Sequence, residues 1–102
     1  TPLRRSMQIG PLSLDLDGPK LSHDGAMLDV PRRELLLLTA LAEAHGGPVS
    51  KSSLLDSLYG AGSETDEKVI EVYVSRLRKR LSRHGIAIQV IRGIGYALEV
   101  QG

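Results

Sequence analysis

Apolar residues recur with helical spacing between residues 66 and 83. At 100° per residue, one narrow arc of this stretch holds the apolar positions Ile70, Val74, Leu77 and Leu81. The opposite arc is mainly cationic and polar, and it holds Lys68, Val72, Ser75, Arg76, Lys79 and Arg83. The pattern predicts an amphipathic helix whose apolar face is buried, with Val69 and Tyr73 at its margin. Val72 is the apolar exception on the outward face.

The charges along this predicted helix are also unevenly placed. Its acids lie in the first half, and its Arg and Lys residues are concentrated in the second half. This order suits the helix macrodipole, so a face that contacts only water explains it as well as nucleic-acid binding does. The neighbouring elements must decide between the two interpretations.

Before residue 31, apolar and polar residues alternate. Gly10-Pro11, Asp17-Gly18-Pro19 and Asp24-Gly25 interrupt the alternation, which predicts short antiparallel strands joined by tight turns. The inward positions are expected to be Ile9, Leu12, Leu14, Leu16, Leu21, Leu28 and Val30. Residues 1–6 show no such periodicity and are predicted to be the end of an interdomain linker, which leaves residues 7–102 as the folded domain.

Two further helices and a hairpin are predicted around the long helix. The first helix should run from Pro31 to His45, with Glu34 near its positive end, and the second from a cap at Ser50 to Leu58. Thr65 is the expected cap of the long helix. After residue 85, two alternating segments predict a hairpin joined by residues 92–95, with Gly93 and Gly95 supplying positive φ angles.

Composition narrows the function classes. The 102 residues suffice for one core, and the chain has no Cys, which excludes disulfides and thiolate chemistry. No apolar run approaches the roughly 20 residues of a membrane span, so we expect a cytoplasmic protein without membrane contact. His23, His45 and His84 are scattered, and no catalytic or metal-binding constellation is evident, so neither an enzyme nor a cofactor is predicted.

Charge is polarised along the chain, although the net charge is only +1. Residues 68–92 hold seven Lys or Arg and one acid, a net charge of +6, whereas residues 1–67 carry −4. One face of such a molecule attracts polyanions. The order of elements predicts an α+β fold, a winged helix-turn-helix in which short antiparallel strands precede three helices and a C-terminal β-hairpin wing.

Two segments carry a family resemblance. RLRKRL at residues 76–81 and RGIGY at residues 92–96 strongly resemble the helix end and the wing of OmpR/PhoB-type response-regulator effector domains. The likeness extends from about Met7 to Val100, and it implies that the N-terminal strands form a four-stranded antiparallel sheet. Two positions depart from it, since Tyr59 stands where the family commonly has Trp, and Glu67-Lys68-Val69 stands where an acid-Arg-Thr run is common.

The resemblance implies sequence-specific binding of double-stranded DNA in a two-component system. It further implies a linked receiver domain and a sensor kinase, neither of which these 102 residues provide. By the same resemblance, we expect a head-to-tail dimer on direct repeats and a contact between loop 59–65 and RNA polymerase. A winged-helix module that binds only protein is the alternative.

Residue roles follow from side-chain chemistry, aided by the resemblance. The expected base contacts are Arg76 on guanine in the major groove, Val72 on a thymine methyl and Arg92 in the minor groove. The expected phosphate contacts are Ser50, Lys51, Tyr59, Lys68, Tyr73, Ser75, Arg78, Lys79 and Arg83. Several alternatives stay open: Arg76 as a surface arginine, Ser50 as a cap only, and Tyr59 and Tyr73 as packing residues.

Overall fold

The computed structural model describes residues 5–62 and 64–100. In this part of the chain an antiparallel sheet comes first, with strands β1 (Ser6–Ile9), β2 (Leu12–Asp15), β3 (Lys20–His23) and β4 (Ala26–Met27). The helices are α1 (Arg32–Glu43), α2 (Lys51–Tyr59) and α3 (Lys68–Ser82). A second sheet contains β5 (Val49–Ser50), β6 (Ile86–Ile91) and β7 (Gly95–Val100). The predicted winged helix-turn-helix is confirmed.

The N-terminal sheet covers one side of the core. Its predicted inward positions are buried or half-buried, and Leu12 and Leu14 are fully enclosed. Asp24 and Gly25 form the predicted two-residue turn, with φ angles of 52° and 81° that fit a type I′ hairpin. Ser6 belongs to β1 and lies opposite Asp15 of β2, one residue before the predicted start of the domain. Residues 1–4 of the predicted linker lie outside the described residues.

Helix α1 occupies the centre of the core, as its apolar run predicts. Pro31 is its N-cap, and the helix ends at Glu43, two residues before the predicted end. His45 has a positive φ of 51°, so the chain has already left the helix there. The second helix follows the predicted cap, because the Ser53 amide donates to Ser50 Oγ at 3.1 Å.

Helix α3 buries the predicted apolar arc, and Ile70 and Leu77 are completely enclosed. The predicted start was wrong by two residues, because the helix begins at Lys68 and its N-cap position is Glu67 rather than Thr65. The Asp66 carboxylate accepts a hydrogen bond from the Lys68 amide at 2.9 Å. A carboxylate thus accepts a hydrogen bond from one of the amides that lack an intrahelical partner at the positive end of the helix.

The second sheet has the order β5-β7-β6. Strand β5 was not predicted, since two residues are too few to show alternation. The predicted role of Gly95 was wrong: Gly93 has a φ of 76°, whereas Gly95 is not among the described residues with positive φ and lies in β7 opposite Ser50 and Ile91. A Cβ at Gly95 would lie 2.0 Å from the Val49 carbonyl oxygen, so the missing side chain permits β5 to approach.

Candidate nucleic-acid interface

The outward face of α3 consists of the six residues of the arc opposite the core, Lys68, Val72, Ser75, Arg76, Lys79 and Arg83. All six are exposed, including Val72, whose exposed fraction is 47%. In residues 5–62 and 64–100, Arg76, Lys79 and Arg83 form no ion pair with a carboxylate. The face therefore presents unneutralised positive charge around one apolar contact.

Arg78 has a structural contact that the sequence did not predict. Its Nε and Nη2 donate to the Ile88 carbonyl oxygen at 3.2 and 2.8 Å, which ties α3 to β6. A guanidinium has five N–H donors, so three remain for other partners. A phosphate contact by Arg78 stays a prediction.

Arg80 also anchors the helix, through a buried acid. Its Nε donates to Glu34 Oε1 at 2.8 Å, and its Nη1 donates to the Asp29 carbonyl oxygen at 3.3 Å. Glu34 lies in the first turn of α1, as predicted, but its side chain is only 2% exposed. A buried carboxylate needs a hydrogen-bonding partner. The apolar residues that follow Glu34 in the sequence indicated that its side chain would be buried.

Two tyrosines and an arginine form a cluster where α1, α2 and α3 meet. The Tyr59 and Tyr73 hydroxyls are 3.3 Å apart, and the Arg33 guanidinium lies 4.4 Å from the centre of the Tyr59 ring. The hydrogen bond to Tyr73 is the main cause that raises the pKa of the Tyr59 hydroxyl, and Arg33 opposes it. Either hydroxyl can donate in this hydrogen bond, and the tyrosine that accepts it keeps its own proton for another partner. Both tyrosines also pack against the core, as the packing alternative expects, and their phosphate contacts stay predictions.

A cleft of about 460 Å³ lies between the first turn of α2 and the wing, and its lining includes Ser50, Lys51, Ser52, Glu67, Arg92 and Ile94. Lys51 Nζ is 3.4 Å from Glu71 Oε1, an exposed pair that leaves the amine accessible. Arg92 is exposed in the turn between β6 and β7. Predicted contacts from the second helix and from the wing thus line the same cleft.

Three remaining features concern other site types. The rings of His23 and His84 meet edge to face with centroids 5.1 Å apart, a proximity that their positions in the sequence do not show. The described residues contain no group of three His, Cys, Asp or Glu side chains that could hold a metal ion. Of the helices described, none has the length and apolar character needed to cross a membrane.

This geometry defines a class of protein, the winged helix-turn-helix domains that present an exposed helix beside a hairpin. Solved structures share the fold. The DNA-binding domain of CpxR from E. coli is 25% identical, with a TM-score of 0.79 over 96% of this chain and 99% of that one. The Klebsiella pneumoniae RstA DNA-binding domain, solved in complex with the RstA box, is 24% identical, with a TM-score of 0.74 over 91% of this chain and 95% of that one.

Sequence comparison places the chain within that class. The family model described as "Transcriptional regulatory protein, C terminal" matches residues 25–98. The "Probable transcriptional regulatory protein y4xI" of Sinorhizobium fredii is 40% identical over 107 residues, an alignment that covers 96% of this chain and 47% of that protein. The chain therefore belongs to the OmpR/PhoB-type family of transcriptional regulatory proteins, which are not enzymes, and it spans less than half the length of this relative.

Proposed function

We propose that this chain binds specific sequences of double-stranded DNA as the effector domain of a two-component response regulator. The observation that carries the proposal is the outward face of α3, where exposed cations without carboxylate partners in the described residues surround Val72. A major groove is wide enough for one α-helix, and the phosphates at its edges attract such a face.

The proposed base contacts are those of Val72, Arg76 and Arg92. Arg76 pairs with guanine O6 and N7, Val72 packs on a thymine methyl, and Arg92 enters the adjacent minor groove. The exposed positions of all three side chains support these roles.

The proposed phosphate contacts fix the position of the domain on the duplex. They come from the predicted residues of α3, from Tyr59 and from the first turn of α2. Ser50 already caps α2 with its hydroxyl, so its phosphate contact is secondary to the free amides of the first turn and to the charge of Lys51. Arg78 contributes least, since two of its donors bind Ile88.

The whole protein, on this proposal, also contains a receiver domain that a sensor kinase controls. The length of the curated relative supports this, because the chain covers only 47% of it. Head-to-tail dimers on direct repeats, a contact between RNA polymerase and loop 59–65, and a cytoplasmic location complete the proposal. Residue 63 of that loop lies outside the described residues.

Selection of bound sequences from a random duplex pool tests the proposal, followed by titration of the selected duplex at several salt concentrations. We expect a defined consensus and an affinity that falls linearly with salt on a log–log plot. The absence of salt-dependent binding to any duplex would refute the proposal and favour a domain that binds only protein.

A further inference from the structure

A second cationic cleft lies on the side of α3 that faces α1. Its volume is about 450 Å³, and its lining includes Arg32 and Arg33 from the start of α1 together with Tyr73 and Arg76 from α3. The cleft borders Arg76, the proposed base contact, and the Arg33 guanidinium stacks on Tyr59, a proposed phosphate contact. The cleft is thus continuous with the proposed interface.

The charges in this cleft are not balanced. Among its described lining residues, Glu34 is the one carboxylate, and this side chain is 2% exposed and bound to Arg80. Arg32 and Arg33 are exposed, and within residues 5–62 and 64–100 neither forms an ion pair. The cleft therefore favours an anion.

The position of the cleft matches the geometry of a major groove. A helix in the groove has a sugar–phosphate strand on each side. One side of α3 faces β6 and the first turn of α2, as the Arg78–Ile88 and Lys51–Glu71 contacts show. The other side faces α1, because Arg80 binds Glu34 there. The cations of α2 and the wing lie on the side of the first sugar–phosphate strand. Arg32 and Arg33 lie on the side of the second.

We propose that Arg32 and Arg33 bind a backbone phosphate on the side of α3 away from the wing. This inference rests on the proposed function, since it requires α3 in the major groove. Stacking on Tyr59 holds the Arg33 guanidinium by its face and leaves its N–H edge free, which is the edge that binds phosphate. The two arginines add charge without adding sequence preference.

The test uses Arg32→Gln, Arg33→Gln and the double variant, with Lys20→Gln as a control that removes an exposed cation from β3. Binding to the selected duplex is titrated between about 50 and about 200 mM salt. Each lost phosphate contact should reduce the salt slope by about one, so the affinity ratio between the parent and a single variant should change about three- to fourfold over this range. Lys20→Gln should retain the parental slope, and all variants should retain the parental melting temperature.

Neutral methylphosphonate linkages, placed one at a time in each DNA strand, locate the contact. Binding of the parent should weaken at one linkage beside α1, and binding of the double variant should be insensitive there. Arg33→Lys keeps the charge, so it should retain the parental salt slope that Arg33→Gln loses. If Arg33 only positioned Tyr59, Lys would not restore binding to the parental level.

The outcomes separate this inference from the function on which it rests. If the parent binds with a steep salt slope while the double variant matches Lys20→Gln in slope and linkage pattern, the role of Arg32 and Arg33 is refuted and the proposed function stands. If the parent shows no salt-dependent binding, both are refuted.

Discussion

The sides of α3 and its outward face use the same residue types for different purposes. On the sides, Arg78 binds a carbonyl oxygen of β6 and Arg80 binds a buried carboxylate of α1. On the outward face, Arg76, Lys79 and Arg83 form no such contacts with the described part of the chain. A run of basic residues on one helix thus contains both groups that hold the helix in place and groups that are available to a ligand. Only the packing around the helix distinguishes them.

Arg80→Met should give the largest effect on stability. The substitution leaves the Glu34 carboxylate buried without its partner, and because the Arg80 side chain is itself 44% exposed we expect a loss of about 2–3 kcal/mol. Urea unfolding measures it. The double variant Glu34→Met/Arg80→Met should regain most of the loss, and an unchanged midpoint in Arg80→Met would show that the pair does not anchor the helix.

Arg76→Ala should cost about 1–3 kcal/mol in binding to the selected duplex and relax one base preference, because a bidentate contact with guanine is lost. The free energy of unfolding of the domain should not change, since the Arg76 side chain is exposed. Competition between the selected duplex and single-base variants measures the preference. An equal loss of affinity for every sequence would assign Arg76 to phosphate instead.

Arg78→Met should destabilise the domain by about 1–2 kcal/mol, because the Ile88 carbonyl oxygen loses its two donors. Thermal unfolding measures the change, and Arg83→Met is the control from the outward face. The salt slope of DNA binding separates the two roles of Arg78: an unchanged slope assigns it to structure alone, and a slope reduced by about one adds a phosphate contact.

Lys79→Ala should give the smallest effect. We expect a uniform weakening of binding across sequences and a salt slope reduced by about one, with no change in stability. Titration of the selected duplex and an unrelated duplex measures both. A change in base preference would contradict a phosphate role for Lys79.

The sequence predicted those parts of the fold that rest on local patterns. The helical period of Ile70, Val74 and Leu77 fixed the orientation of α3, and Asp24-Gly25 fixed a hairpin turn, since each is encoded within a few residues. The start of α3 was predicted two residues too early, because Thr65 fits a cap by residue type alone, whereas the helix begins at Lys68 with the Asp66 carboxylate on the Lys68 amide.

The sequence did not predict contacts between distant residues. Glu34 and Arg80 are 46 positions apart, and no local pattern pairs them. Strand β5 and the close approach at Gly95 depend on how α2 meets the wing, which two residues do not encode. The outward face of α3 was predictable because the helical period and the positions of the charged residues define it. Arg32 and Arg33, by contrast, lie near Arg76 because α1 packs against α3.

The pairing of β5 with β7 has a consequence for how recognition can diversify. Ser50 lies opposite Gly95 in this ladder, so main-chain hydrogen bonds set the separation between the first turn of α2 and the wing tip. Side chains at either end can be exchanged during evolution without changing that separation. A substitution at Arg92 can therefore change the proposed minor-groove contact, while its distance from the first turn of α2 is inherited unchanged.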